Sequence, residues 1–245
     1  MLWATWERDL LRLRRTPLRL MAPLVGPNLL LLSIGVGLVG NAAPESSRIV
    51  AGLALMSAYL MGGNLGPDVH SDMGSGVALD LHGSAGAAAT SMVARAVLTG
   101  ALGVGTAAVL WSLGTLLGMP APANAVSVVG VALALALVGF ISACWAALLG
   151  ALSRSVTTLS GAMNVVFNAL FFISGALYEP QSAPVGLRIA TFLNPVYYLG
   201  ELLRQLAGGS IGLAYWAPSL GVAAISGLAL WLTTSRVSVS RYSWT

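Results

Sequence analysis

The sequence contains no lysine, so all twelve of its basic residues are arginines. A phosphate-binding loop of the form G-x-x-x-x-G-K-[ST] uses its lysine to reach the nucleotide phosphates. The chain therefore cannot carry an ATPase site of that kind. Any ATP chemistry in which it takes part must come from a partner.

Charged residues are also scarce. They make up 8% of the chain and hydrophobic residues 57%, whereas ordinary soluble domains carry roughly 25% charged residues. A soluble fold could not hydrate its surface with so few charges, so the composition predicts an integral membrane protein. The pI of about 9.7 does not indicate a nucleic-acid partner, because the arginines are thinly spread after residue 19. Basic residues of membrane proteins more often report orientation.

Cysteine is almost missing, and the single Cys144 excludes a disulfide within the chain. We expect no cleavable signal peptide, because the arginine-rich start runs into a long apolar segment without a small-residue cleavage motif. Internal repeats and low-complexity linkers are not evident. Residues 1–245 are therefore predicted to form one transmembrane domain.

Apolar and basic residues alternate with a helical period over residues 1–19. The apolar positions are Trp3, Trp6, Leu10 and Leu13, and the basic positions are Arg8, Arg12, Arg15 and Arg19. This pattern predicts an amphipathic helix in the lipid headgroup region, with its arginines toward anionic lipid. A charged anchor that only fixes topology is the alternative.

The apolar runs after this helix predict six membrane spans in an all-α protein. They cover about residues 20–40, 49–66, 95–118, 125–152, 156–177 and 213–234. Nine arginines fall on the side of both termini and three on the other, which places the termini in the cytoplasm of a multi-pass cell-membrane protein. We expect no ionisable residue deep within the spans.

Residues 67–92 form the one long polar segment in the middle of the chain. Its potential metal ligands are Asp68, His70, Asp72, Asp80 and His82. Carboxylates and imidazoles at this density allow a metal site. The alternative is a solvated cytoplasmic loop, which suits the glycines and serines of the segment.

A broken pattern follows the fifth span. Glu179, Pro180 and Pro184 stop the apolar run, and a short apolar piece leads to Asn194 and Pro195. An amide cap followed by a proline is typical of a helix start. Because each piece is too short to cross a bilayer, which takes about 20 residues, residues 179–209 are predicted to form a re-entrant helical hairpin.

These residues also carry a family resemblance. The motif consists of Phe172 to Tyr178, then Pro180 and Pro184, then Asn194 and Pro195, and finally Glu201 and Arg204. It resembles the C-terminal signature of type-2 ABC-transporter permeases, the membrane subunits of ATP-driven exporters. The family usually passes directly from the aromatic residue to proline, and Glu179 is inserted here.

The resemblance implies an interfacial elbow helix at the N-terminus and a coupling helix between spans two and three. It also implies separate cassette ATPase subunits that bind ATP and Mg, and a second permease that is either another copy of the chain or a related protein. The positions expected to couple to the cassette are Arg8, Arg12, Asp72, Gly74 and Asp80. The positions expected in an extracellular gate are Gly175, Glu179, Pro180, Asn194, Pro195, Glu201 and Arg204.

Two asparagines in the fifth span, Asn164 and Asn168, are one helical turn apart. They could line a substrate path, although such amides more often form hydrogen bonds between helices. The composition of the spans favours an apolar or amphipathic substrate, such as a drug-like molecule or a lipid.

Two other functions compete with export. An intramembrane enzyme would use the Asp and His residues of 67–92, but no G-x-S frame surrounds Ser174 and no H-E-x-x-H motif occurs. An ion-coupled secondary transporter would carry ionisable residues at mid-membrane. The sequence favours a membrane subunit driven by an external ATPase, with no catalytic or metal-binding residue of its own.

Overall fold

The computed structural model of the protein describes residues 2–15, 43–74, 85–118 and 120–239. Every regular element within these ranges is helical. In chain order the α-helices are α1 (Leu2–Arg15), α2 (Ala43–Gly63), α3 (Leu65–Gly74), α4 (Ala85–Leu116), α5 (Ala125–Leu152), α6 (Val156–Ile173), α7 (Val185–Leu193), α8 (Pro195–Ala207) and α9 (Leu213–Val239). One 3-10 turn, Pro180–Ser182, precedes α7.

Helix α2 lies at the centre of the protein, and every residue from Val50 to Tyr59 is buried. Helices α4 and α5 pack against α2 and against each other, and α9 packs on α5 and α4. Helix α8 fills the space between α5, α9 and α2. The apolar core is therefore formed mainly by α2, α4, α5 and α8.

Glycines allow two of these helix pairs to approach closely. A Cβ atom at Gly139 of α5 would lie 2.8 Å from the Cα of Gly100 in α4. A Cβ at Gly150 of α5 would meet the carbonyl oxygen of Gly66 in α3. Small residues at contacts of this kind are typical of helix packing in membranes, where backbones gain van der Waals contact by coming close together.

Helix α6 is the least buried of the long helices. It follows α5 after a short link in which the hydroxyl of Ser155 accepts a hydrogen bond from the backbone N–H of Thr158. Leu159, Phe167 and Phe171 are its buried residues, whereas Val165 is 69% exposed. One face of α6 thus holds the helix to the protein, and the rest of it is uncovered in the single chain.

Several helices extend beyond the predicted limits of the spans. Helical backbone continues past a turn at Asn64 to Gly74, eight residues beyond the predicted end at 66. Helix α4 begins at Ala85, ten residues before the predicted start at 95. The interpretation of residues 67–92 as a solvated loop is therefore wrong for 67–74 and 85–92. The polar residues of α3 do not end the helix, because the carboxylates of Asp68 and Asp72 form ion pairs with arginines of other helices.

Five described helical segments are long and apolar enough to cross a membrane: Arg48–Gly74, Ala89–Leu116, Ala125–Leu152, Val156–Ile173 and Leu213–Thr234. The prediction of an all-α membrane protein is confirmed at this level. The predicted first span, 20–40, lies outside the described residues. The number of six spans, the single-domain organisation and the re-entrant depth of α7 and α8 stay predictions.

Candidate functional site

Arg95 is a fully buried arginine in α4, with 1% of its surface exposed. Its Nη1 donates a hydrogen bond to Asp72 of α3 at 3.0 Å, and its Nε donates to Asp9 of α1, also at 3.0 Å. Its Nη2 lies 3.8 Å from Asp68. One side chain therefore joins three helices that are distant in the sequence.

The N-terminal helix contributes two more arginines to the same place. Nη2 of Arg12 lies 3.0 Å from Asp72, and Nη2 of Arg8 lies 3.5 Å from Asp72 and 3.0 Å from Asp9. The indole of Trp6 donates to the carbonyl oxygen of Ala94 at 2.7 Å. We call this set the Arg95 cluster, and its charged members are Arg8, Arg12, Arg95, Asp9, Asp68 and Asp72.

Among the residues that the structure describes, the Arg95 cluster contains three guanidinium groups and three carboxylates. Burial disfavours the charged form of Arg12, but its hydrogen bond to Asp72 and the nearby carboxylates outweigh that cost and raise the pKa of Arg12 above its ordinary value. In a buried network of this kind, removing one partner leaves an uncompensated charge and is strongly destabilising.

The cluster corrects one expectation from the sequence. Arg8 and Arg12 face carboxylates of the protein, whereas Arg14 and Arg15 are exposed. Asp68, Asp72 and Arg95 lie near the ends of two segments of membrane-spanning length, and the expectation that no ionisable residue lies deep within the spans stays a prediction. Desolvation is offset by opposite charges on other helices, and a reading of each span by itself cannot reveal such partners.

The sequence did not single out Asp9 or assign a site role to Arg95. An arginine at the edge of an apolar run does require a partner if the helix is buried, and that is the only signal the sequence offers. Gly74, a predicted coupling residue, is exposed with open space around its Cα. The predicted coupling residue Asp80 lies outside the described residues.

The suggested metal ligands of residues 67–92 do not form a cluster in the described part of the chain. Nδ1 of His70 lies 3.3 Å from the carbonyl oxygen of Gly150, and Asp72 is engaged by arginines. Among described residues, no three His, Cys, Asp or Glu side chains are grouped so as to hold a metal ion. His82 falls outside the described ranges.

At the other end of α2, a compact turn joins α6 to α7. Gly175 adopts a φ of +70°, and a Cβ there would lie 2.8 Å from the ring of the buried Pro180. The hydroxyl of Tyr178 lies 2.7 Å from that of Thr191 in α7. Glycine is the residue that reaches this backbone conformation without strain, so Gly175 and Pro180 together end α6 and turn the chain back.

Asn194 fastens the start of α8. Its side-chain oxygen accepts a hydrogen bond from the backbone N–H of Val196, and its amide donates to the carbonyl oxygen of Leu170 in α6. Pro195 occupies the first helical position, where its missing N–H costs nothing. The predicted helix start is therefore confirmed, and Asn194 also ties the α7–α8 pair to α6.

Two ion pairs lie near this turn. Arg48 at the start of the second span donates to the carbonyl oxygen of Tyr178 at 3.1 Å and lies 3.8 Å from Glu179. Arg204 pairs with Glu201 one helical turn earlier in α8. Burial, with the positive charge of Arg48 as the next cause, lowers the pKa of Arg204 to about 10, so it is still protonated at neutral pH. Nε and Nη1 of Arg204 are buried without a hydrogen-bond partner.

The two asparagines of α6 line a groove of about 280 Å³ between α6 and the α2–α3 segment. The amide of Asn168 donates to the backbone carbonyl of Asn164 in the same helix. Within the described part of the single chain, this amide makes no hydrogen bond to another helix. The groove keeps open the other sequence interpretation, a substrate path.

Comparison with known proteins places this architecture in a family. Residues 1–207 match the family model described as ABC-2 type transporter. Comparison with curated proteins and with solved structures gave no match. Permeases of this family are multi-pass membrane subunits that normally work with a cassette ATPase. The matched region covers most of the chain and includes both the Arg95 cluster and the Glu201–Arg204 pair, so the chain belongs to the ABC-2 type transporter family.

Proposed function

We propose that this chain is the membrane subunit of an ATP-driven exporter of apolar or amphipathic compounds. Separate cassette ATPase subunits would bind ATP and Mg, because this chain has no lysine for a phosphate-binding loop. A second copy or a related permease would complete the path. The observation that carries the proposal is the Arg95 cluster, which joins the N-terminal helix to both helices that border residues 75–84.

The cluster suits a coupling role because it makes α1, α3 and α4 move together. Arg95 contacts Asp9 on α1 and Asp72 on α3 through separate nitrogens. Since breaking a buried pair costs roughly 3–5 kcal/mol, a displacement of α1 by a cassette would carry both helices with it. The arginine asymmetry assigns this end of the protein to the cytoplasm, where a cassette would be.

The exposed side of α6 suits the second permease. Val156, Val165 and Phe172 are between 50% and 69% exposed on this helix. Asn164 and Asn168 line the adjoining groove. A path between two copies would then have α6 as part of its wall, with amides available to a polar group of the substrate.

An apolar cavity supports the substrate class. It holds about 380 Å³ between α6 and the core and is lined by Tyr59, Trp145, Phe167, Leu170 and Leu199, among others. The indole N–H of Trp145 already donates to Ser226, which leaves the walls almost entirely hydrocarbon. Volumes of 300–1,000 Å³ with such walls are typical of sites for drug-sized molecules.

Buried charge also supports a second candidate, ion-coupled transport. Asp68, Asp72 and Arg95 lie in membrane-length segments, and ionisable residues at such positions commonly couple ion movement. Here each carboxylate has an arginine partner. The coupling role proposed for the Arg95 cluster requires the same pairing. The two candidates differ in their energy source, which can be measured directly.

The test is reconstitution of the chain in liposomes, alone and with the cassette ATPase that co-purifies with it. We expect movement of a fluorescent lipid or a drug-like dye only with the cassette and hydrolysable ATP. Arg95→Gln should preserve basal ATP hydrolysis and abolish transport, with Arg154→Gln at an exposed site as the matched control. Transport driven by a proton or sodium gradient without a cassette would instead establish the second candidate.

A further inference from the structure

The helical backbone is interrupted between α2 and α3. Asn64 lies outside both helices, and its backbone N–H donates to the carbonyl oxygen of Met61, three positions earlier, at 3.2 Å. Pro67 has no N–H to donate to the carbonyl of Gly63, four positions earlier, and its ring crowds that carbonyl. Prolines and glycines are usual causes of a helix kink, and a short 3-10 stretch within a helix often marks a hinge. We call residues 63–67 the junction.

One side of this region is pressed against α5. A Cβ at Gly62 would overlap the hydroxyl of Ser142. A Cβ at Gly66, one helical turn later, would lie 2.7 Å from the carbonyl oxygen of Ala146. Both α2 and α3 therefore meet α5 through bare backbone, one on each side of Asn64. Because contacts this close leave no space between the helices, any movement at the junction is a rotation about this line of contact.

The rest of the junction borders open space. Asn64 lines a small cavity of about 30 Å³ together with Asp9, Arg12 and Asp68 of the Arg95 cluster. That volume has room for about two water molecules. Asn64 also lines the groove of about 280 Å³ beside α6. Space next to one residue in two places permits a tilt of α3 that a close-packed interior would forbid.

The junction also touches α6 directly. A Cβ at Gly63 would lie 3.3 Å from the side chains of both Met163 and Phe167, so α6 packs on the backbone of Gly63. Beyond the junction, α3 carries Asp72, which is held by Arg95. One end of α3 is thus tied to the Arg95 cluster, and its other end lies at the wall of the groove.

We propose that the junction is a hinge at which α3 tilts relative to α2 about its contact with α5, so that movement of the Arg95 cluster changes the width of the groove at Asn164. Hinges are commonly a few residues at the ends of helices that absorb the change in backbone angles. The inference rests on the proposed function only for the cassette that would drive the tilt. The hinge itself belongs to this chain and is measured without a cassette, so a failed transport assay and a failed hinge are separate results.

Distance measurement by pulsed electron paramagnetic resonance tests the hinge in the purified full chain in nanodiscs. The buried Cys144 is replaced by alanine, and spin labels are attached to cysteines at Ser71 on α3 and Ala169 on α6, both exposed. The unsubstituted junction should give a broad distance distribution, because α3 takes several tilts. Asn64→Ala with Pro67→Ala supplies the missing N–H and two strong helix formers, and should reduce the width of the distribution at least twofold.

Amide hydrogen exchange provides a second measurement that needs no labels. The backbone N–H groups of Leu65, Gly66 and Asp68 should exchange at least tenfold more slowly in the double variant. The reason is that exchange reports local opening of helical hydrogen bonds, and a continuous helix opens there less often than an interrupted one.

Two further variants make the result decisive. Pro218→Ala is the matched control, because Pro218 lies inside α9, and it should change neither measurement. Pro67→Ala by itself should narrow the distribution by a smaller amount, and it decides the question if the double variant does not fold. A rigid kink would give a shifted mean distance with an unchanged width, which would overturn the proposal. Unchanged exchange at the junction, or equal narrowing by Pro218→Ala, would overturn it as well.

Discussion

Nη1 of Arg95 donates to the carboxylate of Asp72 at 3.0 Å, although the two residues are 23 positions apart and lie on different helices. Both side chains are almost fully buried. The same guanidinium reaches Asp9 of the N-terminal helix through Nε. The stability of this end of the protein therefore depends on one arginine that no single neighbouring helix could satisfy.

Neutralising either Arg95 or Asp72 should destabilise the folded protein. We expect Arg95→Gln and Asp72→Asn each to lower the free energy of unfolding by roughly 3–5 kcal/mol, because each leaves buried opposite charges without compensation. Arg154→Gln at an exposed site should change it by less than about 0.5 kcal/mol. Thermal unfolding in nanodiscs, followed by circular dichroism, measures the difference.

The exchanged variant, Arg95→Asp with Asp72→Arg, provides the internal check. It keeps the net charge of the cluster but should not recover the lost stability, because the new carboxylate at position 95 would face Asp9 and Asp68. The new guanidinium at position 72 would likewise face Arg8 and Arg12. Single variants as stable as the unsubstituted protein would contradict the coupling role assigned to the Arg95 cluster.

The sequence predicts those features that depend on local rules. Asn194 and Pro195 start α8 as expected, because a cap and a proline act within one helical turn. Gly175 ends α6 through its own backbone conformation. The predicted spans two to six likewise coincide with long described helices, because the length of an apolar run is itself a local property of the sequence.

Features that depend on tertiary contacts were missed for a physical reason. Asp68 and Asp72 were interpreted as part of a polar segment, since an isolated carboxylate is normally solvated. Only the folded protein brings Arg12 and Arg95 to them.

Close helix contacts give a second prediction. Gly139→Ala should destabilise the protein by about 1–3 kcal/mol, because the new methyl group would overpack the contact with Gly100. Gly161→Ala, on the open side of α6, is the matched control, since nothing lies within 4 Å of the added Cβ. It should be neutral or stabilising by up to about 1 kcal/mol. Unfolding in detergent at a series of temperatures compares the two, and equal effects would contradict the close approach of α4 and α5.

Topology gives a third prediction. Cys144 is buried and is replaced by alanine, and single cysteines are then placed at Ser46, Ser75 and Ser182. The arginine asymmetry predicts that positions 46 and 182 are outside the cell and that position 75 is inside. An impermeant maleimide added to intact cells should therefore label 46 and 182 but not 75, and permeabilised cells should show all three. Labelling of position 75 but not of positions 46 and 182 in intact cells would show the opposite orientation.

Hydrolysis by the isolated chain gives a fourth prediction. The chain purified away from any cassette should release no phosphate from ATP, because it has no lysine for a phosphate-binding loop. Addition of the cassette should restore hydrolysis. A cassette variant without its own phosphate-binding lysine serves as the control for contaminating ATPases. The contrary result is phosphate release that rises in proportion to the concentration of the isolated chain through successive purification steps. That result would refute the assignment of ATP hydrolysis to a separate cassette.

The last prediction concerns Glu201 and Arg204 as a gate at the end of the protein opposite the Arg95 cluster. The two side chains pair on one face of α8 and are 22% and 12% exposed. At a fully exposed surface such a pair would contribute at most about 1 kcal/mol, whereas burying one charge alone in a membrane costs roughly 2.5–3.5 kcal/mol at the centre and less near the interface. We therefore expect Glu201→Gln and Arg204→Gln each to impair ATP-dependent export.

Exchange of the two charges distinguishes a gate from a pair that only sets the depth of α8. Glu201→Arg with Arg204→Glu restores the ion pair in reverse and should recover part of the export lost in the single variants. Expression and unfolding temperature are measured in parallel, so that a folding defect is not counted as a gating defect. The matched control is Arg188→Gln on α7, whose guanidinium, in the part of the chain that the structure describes, bonds to the backbone carbonyls of Gln181 and Ala183. If both single variants export normally at normal expression, the pair is an anchor, and the gate lies elsewhere in the path.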